Sequence, residues 1–245
     1  MKYAIVTPYF KETPSLLKRC IRSVRDQTLN ADHIMVADGH PQDWIDNERV
    51  RHIRLDRSHN DYGNTPRGIG AILAIAEQYS GIGLLDADNW LEATHVEVCV
   101  RTCDEAKTTR KIDYVIARRH LRRPDESILP VPDEPIAQHV DTNCFFFLPG
   151  SYHVVPYFGT MPKELSPVCD RIFYSAMQNR GLSAAVCGET TVNYECLWEP
   201  IYQALGENLP IGAKPAIDST AIQAWINSRN PVQLELVQKL AGLIP

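Results

Sequence analysis

Asp86 and Asp88 stand one residue apart, just after a short apolar run over residues 82–85 that begins among Gly81 and Gly83. A run of that length, bounded by glycine, predicts a buried strand with the two acids at its carboxyl edge. Paired carboxylates are hard oxygen ligands. With Ala87 between them letting the backbone come near, they suit a divalent Mg or Mn ion that carries substrate phosphates. The same residues serve as well in an acidic strand-to-helix turn, with Asp88 or Asn89 capping a helix that begins near Glu92. The flanking chain has to decide between the two.

Polar residues recur at comparable places. Residues 3–6 predict a strand, and Thr7-Pro8-Tyr9-Phe10 breaks it, leaving a hydroxyl and two aromatic rings at a ligand-facing position. Thr13-Pro14 caps and opens a helix with Leu16, Leu17, Cys20, Ile21 and Val24 at helical spacing. A second strand ends in Asp38-Gly39, where the acid either accepts hydrogen bonds from a base or ribose or simply forms a turn. A third strand is expected over residues 50–55. Thr65-Pro66-Arg67 reads as a capped helix start, and Arg67 in the first turn opposes the helix dipole. Facing a phosphate or a carboxylate would explain it, as would plain solvation.

Strands alternating with helices through residue 117 predict an α/β fold, a mainly parallel sheet covered on both faces. The basic cluster Arg118-Arg119-His120-Leu121-Arg122-Arg123 and the proline-rich stretch after it, to residue 138, read as a long surface loop. Its arginines would either clamp a phosphorylated ligand or sit in solvent against nearby acids. Residues 140–148 turn strongly apolar. Ser166-Pro167 opens a helix with Asp170 in its first turn, and residues 219–242 predict two short helices divided by Asn230-Pro231.

The 245 residues suffice for one sizeable core, and a formal charge of −5 with pI near 5.9 offers no basic surplus for nucleic acid. Seven scattered cysteines, an odd number, read as buried thiols in a reducing compartment. No run approaches the roughly twenty apolar residues of a membrane helix, and the start lacks signal-peptide character. A cytoplasmic chain is expected, with an oligomer compatible.

In this order the chain resembles the inverting family 2 glycosyltransferases. The resemblance rests on Thr7-Pro8-Tyr9-Phe10, Cys20-Ile21-Arg22-Ser23-Val24 with Gln27-Thr28, Val36-Ala37-Asp38-Gly39, Pro66-Arg67-Gly68, Leu84-Leu85-Asp86-Ala87-Asp88-Asn89 and Asp170, over about residues 1–195. It implies a GT-A fold: a Rossmann-like nucleotide-sugar-binding half over residues 1–118, an acceptor half over 119–215, and a C-terminal helical extension over 216–245. It further implies a UDP- or GDP-sugar donor, an acceptor still to be identified, and Mn or Mg as cofactor. Thr7, Pro8, Tyr9, Asp38, Arg67, Asp86, Ala87 and Asp88 would bind the nucleotide-sugar, Asp86 and Asp88 the metal, and Asp170 would be the catalytic base. His153 is an additional candidate metal ligand. Two departures stand out: Pro66 and Gly68 flank Arg67 where the family has alanine and asparagine, and Cys169 precedes Asp170 where a glutamate is common. Two other readings fit the same residues. A haloacid-dehalogenase-type phosphatase also places Asp-x-Asp after an apolar strand, though usually the first strand. A catalytically inactive nucleotide-sugar-binding module would use the same pocket.

Overall fold

The structure, a computed structural model, describes residues 1–244; Pro245, the last residue of the expected C-terminal extension, lies outside the described residues. The strands are β1 (Tyr3–Tyr9), β2 (Asp32–Ala37), β3 (Arg51–Arg54), β4 (Gly81–Leu84), β5 (Trp90–Leu91), β6 (Tyr114–Arg122), β7 (Phe145–Phe147) and β8 (Ala184–Glu195). They form one sheet in the order β3-β2-β1-β4-β7-β6-β8-β5. Only β7 and β5 run against the rest, so the sheet is mainly parallel as expected. The helices are α1 (Pro14–Arg25), α2 (Asn64–Ala76), α3 (His95–Lys107), α4 (Tyr157–Thr160), α5 (Cys169–Asn179), α6 (Glu199–Leu205), α7 (Ser219–Asn227) and α8 (Pro231–Leu240).

β1 is buried along its whole length at the centre of the parallel half. It tolerates Pro8 for a local reason. Backbone bonds alternate between its two neighbours, with Val6 carbonyl accepting from Leu85 on the β4 side and Tyr9 carbonyl accepting from Asp38 on the β2 side. Pro8 would therefore donate towards β4, which pairs only with residues up to Val6, so the missing N–H breaks no ladder bond. α1 covers one face with Leu17, Cys20, Ile21 and Val24, and Thr13 caps it as expected, its hydroxyl accepting from the Leu16 amide at 3.5 Å. α2 covers the other face and lies close, for a Cβ on Gly70 would meet Val6 at 2.5 Å. Phe145, Phe146 and Phe147 are fully buried: Phe145 and Phe147 pack against Phe173, whose ring stacks on Phe158 at 4.0 Å, and Phe146 alternates to the other face of the sheet, 6.1 Å from the Tyr3 ring. Truncating any of the three to alanine should cost about 3–5 kcal/mol.

Three expectations are corrected. The basic cluster is not a surface loop. β6 continues through Arg122, paired with β8 across two register shifts, and the irregular segment begins only after it. Thr65 does not cap α2: Gly63, at φ +80°, holds the cap position, and Asp61 accepts from the Thr65 amide and hydroxyl at 2.8 and 2.5 Å. Asp88 and Asn89 cap no helix, because Trp90–Leu91 forms a strand and α3 starts at His95. All seven cysteines are free and buried, and among the described residues no helix is long and apolar enough to cross a membrane.

Candidate active site

Strand ends build one cleft of about 960 Å³ at the carboxyl edge of the parallel strands. Pro8, Tyr9, Asp38, Arg67, Asp86, Ala87, Asp88 and Asp170 all line it. Open α/β sheets place ligands at this edge because loops leaving the strand ends converge there.

Arg67 is 2% exposed, and its guanidinium donates to Asp86 Oδ1 at 2.6 Å and to Asn64 Oδ1 at 2.9 Å. Of the explanations for an arginine in a helix's first turn, a carboxylate partner is the one found. The glycine after it is also accounted for. A Cβ on Gly68 would lie 2.8 Å from the Gly159 amide nitrogen, so α2 and α4 touch backbone to backbone and leave no room for a side chain. Cys169 is buried beside Arg67, and burial pushes its thiol up to about 12, so it sits there neutral where a glutamate would bring charge.

Asp86 is held on its other side by Asn143, which accepts from the Asp86 amide at 2.5 Å and donates to Oδ2 at 3.0 Å. Asp88 has no comparable partner. Its nearest cation is Lys214, at 3.9 Å, and its side chain is 29% exposed. Burial, then Asp86, with smaller contributions from Glu12 and Glu195, push its carboxyl up to about 7. The Asp88 backbone is anchored instead: its carbonyl accepts from Arg19 at 2.6 Å, and Arg19 also bonds Glu195 at 2.5 Å while lying 4.0 Å from the Trp90 ring centre.

Asp38 accepts from the His59 amide at 3.1 Å and from the His59 ring at 2.7 Å, with Ser58 at 3.2 Å. The loop it holds crosses Gly39 so closely that a Cβ there would meet the Ser58 nitrogen at 2.4 Å, and Gly39 takes φ +76°. Asp38 thus combines the turn-forming role with a place on the cleft wall.

Asp170 lies in the first turn of α5 and accepts from His139 at 2.6 Å and from the Arg171 amide at 2.7 Å. Burial works against its ionised form, but the His139 bond and the nearby positive charges hold the carboxyl below its ordinary range.

Two sequence-derived candidates lie elsewhere. Thr7 is fully buried under α1, its hydroxyl 2.8 Å from His33 Nε2 and 3.8 Å from Cys20 Sγ. Strand alternation turns it into the core, two residues before β1 ends. His153 is exposed, and its charge is felt at Asp113, the residue preceding β6, at the opposite edge of the sheet from Asp86 and Asp88. It cannot join them on a metal.

Other lining residues were not anticipated. Tyr194 and Trp198 are joined by a 2.9 Å hydrogen bond, and Lys214, Asp218, Ile222 and Trp225 bring the C-terminal segment into the wall. Nothing local in the sequence marks residues 214–225, since their place follows from α7 packing against Met161, Leu165 and Cys169. Arg119, read as a loop residue, is buried between Asp133 at 2.8 Å and Asp141 at 2.7 Å.

A mainly parallel sheet with an acidic cleft at its carboxyl edge, closed by a second set of strands and C-terminal helices, is the GT-A glycosyltransferase architecture. The structure is similar to that of S. aureus TarS 1-349 in complex with UDP, at a TM-score of 0.59 and 11% identity, over 98% of this chain and 70% of that one. TarS 1-349 in complex with UDP-GlcNAc aligns at 0.59 and 10% identity, over 99% of this chain and 66% of that one. Against a longer TarS structure the score is 0.58 at 11% identity, and 98% of this chain spans 43% of that one. Among curated proteins no sequence matches. The profile of Glycosyl transferase family 2 matches residues 4–184, and the chain belongs to that family. It is a glycosyltransferase. The phosphatase reading falls with this assignment and with the topology, since Asp86-x-Asp88 follows the fourth strand in the chain.

Proposed function

We propose that the enzyme moves a sugar from a nucleotide-sugar donor, a UDP- or GDP-sugar, to an acceptor hydroxyl with inversion at the anomeric carbon. The observation that carries this reading is the shared cleft: Asp38, the Asp86-Asp88 pair and Asp170 line one cavity wide enough for a nucleotide-sugar. The TarS structures with UDP and UDP-GlcNAc have the same fold and support a nucleotide-sugar as the ligand class.

The donor set fits Mg or Mn. Among the described residues no three His, Cys, Asp or Glu side chains are arranged to hold a metal by themselves. Two carboxylates, one of them crowded by other acids and lacking a close cation, suit an ion whose remaining positions are filled by phosphate oxygens and water. Asp88, with Asp86 beside it, would hold such an ion, which supplies positive charge to the leaving diphosphate.

The chain's own groups account for the rest. Asp38 meets the nucleoside, with Tyr9 behind it. Arg67 fixes Asp86 so that only Asp88 is free to reorient. Lys214, half exposed, can leave Asp88 for a phosphate oxygen. Asp170 accepts the proton of the attacking hydroxyl. That a lowered carboxyl stays ionised near neutrality suits a base that must be empty when the acceptor arrives.

A thermal-shift comparison of UDP, GDP and UDP-GlcNAc, each with manganese and with chelator, tests the reading. A ligand at a hundredfold its dissociation constant adds about 2.7 kcal/mol. Stabilisation by one nucleotide family, larger with manganese, and UDP or GDP release from the matching donor are the expected results. No stabilisation by any of them would overturn the donor assignment, and binding without turnover on a broad acceptor panel would leave a binding module.

A further inference from the structure

We propose that His139 is a positioning residue for Asp170, fixing the orientation of its carboxylate by donating to one of its two oxygens. The inference rests on the reading of Asp170 as the base and adds a residue to that site which does not touch the cleft. His139 lies in the irregular segment after β6 and lines a separate side cavity of about 390 Å³. Its side chain is 9% exposed, and Nε2 lies 2.6 Å from Asp170 Oδ2. An ionised carboxylate can only accept, so the proton in this contact is carried by Nε2.

The other ring nitrogen, Nδ1, faces Glu134 Oε2 at 3.2 Å. Glu134 in turn accepts from Arg171 at 2.7 Å, and the Arg171 amide donates to Asp170 Oδ1 at 2.7 Å. The four residues close a ring: Asp170, His139, Glu134, Arg171 and back to Asp170. Each carboxylate oxygen of Asp170 is thereby fixed by a separate donor, which leaves only its remaining lone pairs to meet an acceptor hydroxyl. Such double anchoring is what a base must have if its lone pair is to point at one place in the cleft.

The proline-rich segment gains a purpose from this. Pro135 carbonyl accepts from the Gln138 and His139 amides at 2.8 and 3.1 Å, a tight turn that delivers the imidazole to α5. Arg119, buried between Asp133 and Asp141, pins the segment on both sides of that turn. The charged and titratable groups facing the pair are Glu134, Arg171, Asp141, Arg119, Asp133 and the neutral Cys169 thiol. Arg119 is matched by its two aspartates, and Arg171 is engaged by Glu134. His139 is therefore the donor best placed to act on Oδ2.

The test combines a direct titration with a rate. Carbon-detected NMR of the Asp170 carboxyl is followed against pH in the wild type, in His139→Ala and in His139→Gln, whose amide can still donate to Oδ2. The expected result is a midpoint that rises in His139→Ala and returns towards the wild-type position in His139→Gln. UDP release from UDP-GlcNAc should show the same order: kcat reduced by up to about 100-fold in His139→Ala, its acid limb moved to higher pH, KM for the donor unchanged, and partial recovery in His139→Gln. An unmoved Asp170 midpoint in His139→Ala overturns the proposal. If His139→Ala does not fold, a wild-type midpoint in the ordinary carboxylate range overturns it equally. A wild type that releases no UDP would count against the functional reading alone, because the titration judges His139 without turnover.

Discussion

Arg67, in the first turn of α2, and Asp86, just beyond the end of β4, meet at 2.6 Å with the arginine almost wholly enclosed. The pair ties a helix start to the turn that carries both candidate metal ligands. Asp86 keeps 30% of its side chain exposed, so solvent can relieve part of its charge if the arginine is lost. Arg67→Ala should therefore destabilise by roughly 2–3 kcal/mol, below the usual cost of breaking a fully buried pair. Urea unfolding at neutral pH measures this, and a loss under about 0.5 kcal/mol would match only a solvated arginine.

Asp88→Ala should weaken nucleoside diphosphate binding in manganese and abolish the difference between manganese and chelator. A diphosphate placed beside two aspartates is repelled unless a cation lies between them. Calorimetry with UDP in both buffers gives the comparison. Equal wild-type affinities in the two would remove the metal from the site.

Asp88 also makes a prediction about stability in the absence of ligand. Its carboxyl is raised to about 7 in the folded protein from an ordinary 3.8. Between those two values the unfolded chain has released the proton and the folded chain has not. The penalty therefore grows as pH rises from about 4 and is complete above about 7, with an upper bound of about 4 kcal/mol. Asp88→Asn should stabilise the protein more at pH 8 than at pH 5. An equal gain at the two pH values would show that the carboxyl is ordinary.

Asp170→Asn should lower turnover by about 10² to 10⁴-fold with little change in folding or donor affinity. Asparagine's single carbonyl oxygen can still accept from His139 or from the Arg171 amide, though not from both, and it cannot take the acceptor's proton. Single-turnover measurements with saturating donor would expose the defect. A rate within a few-fold of wild type would return Asp170 to a structural role.

The motifs of the parallel half were legible because each joins a strand end to a polar residue, and a parallel sheet sends all such ends to one edge. Asp38, Arg67, Asp86 and Asp88 meet for that reason. Thr7 belongs to the same motif yet turns inward, since the exact end of β1 decides which face each residue takes and residues 3–6 alone suggest too early an end. Arg118 to Arg122 looked like a loop because charge outweighed strand pattern. The ion pairs that allow Arg119 to be buried join residues 14 and 22 positions away along the chain. His139 gave no local signal, being a single histidine in a proline-rich stretch whose partner lies 31 residues on.

The pairing of β5 with β8 has a consequence for how the enzyme can be divided. The family match ends at residue 184, where β8 begins. Yet Trp90 and Leu91 pair with Asn193 and Val192, the Glu195 amide donates to Asn89 at 2.8 Å, and Glu195 holds the arginine that anchors Asp88. The acidic turn is thus strung between the middle of the sheet and its far edge, and the edge strand β5 is held there by chain beyond the shared family core. A fragment trimmed to residues 4–184 would keep every signature of the family in its sequence and lose the attachment that shapes its acidic turn. The smallest portable catalytic unit here is larger than the smallest recognisable one.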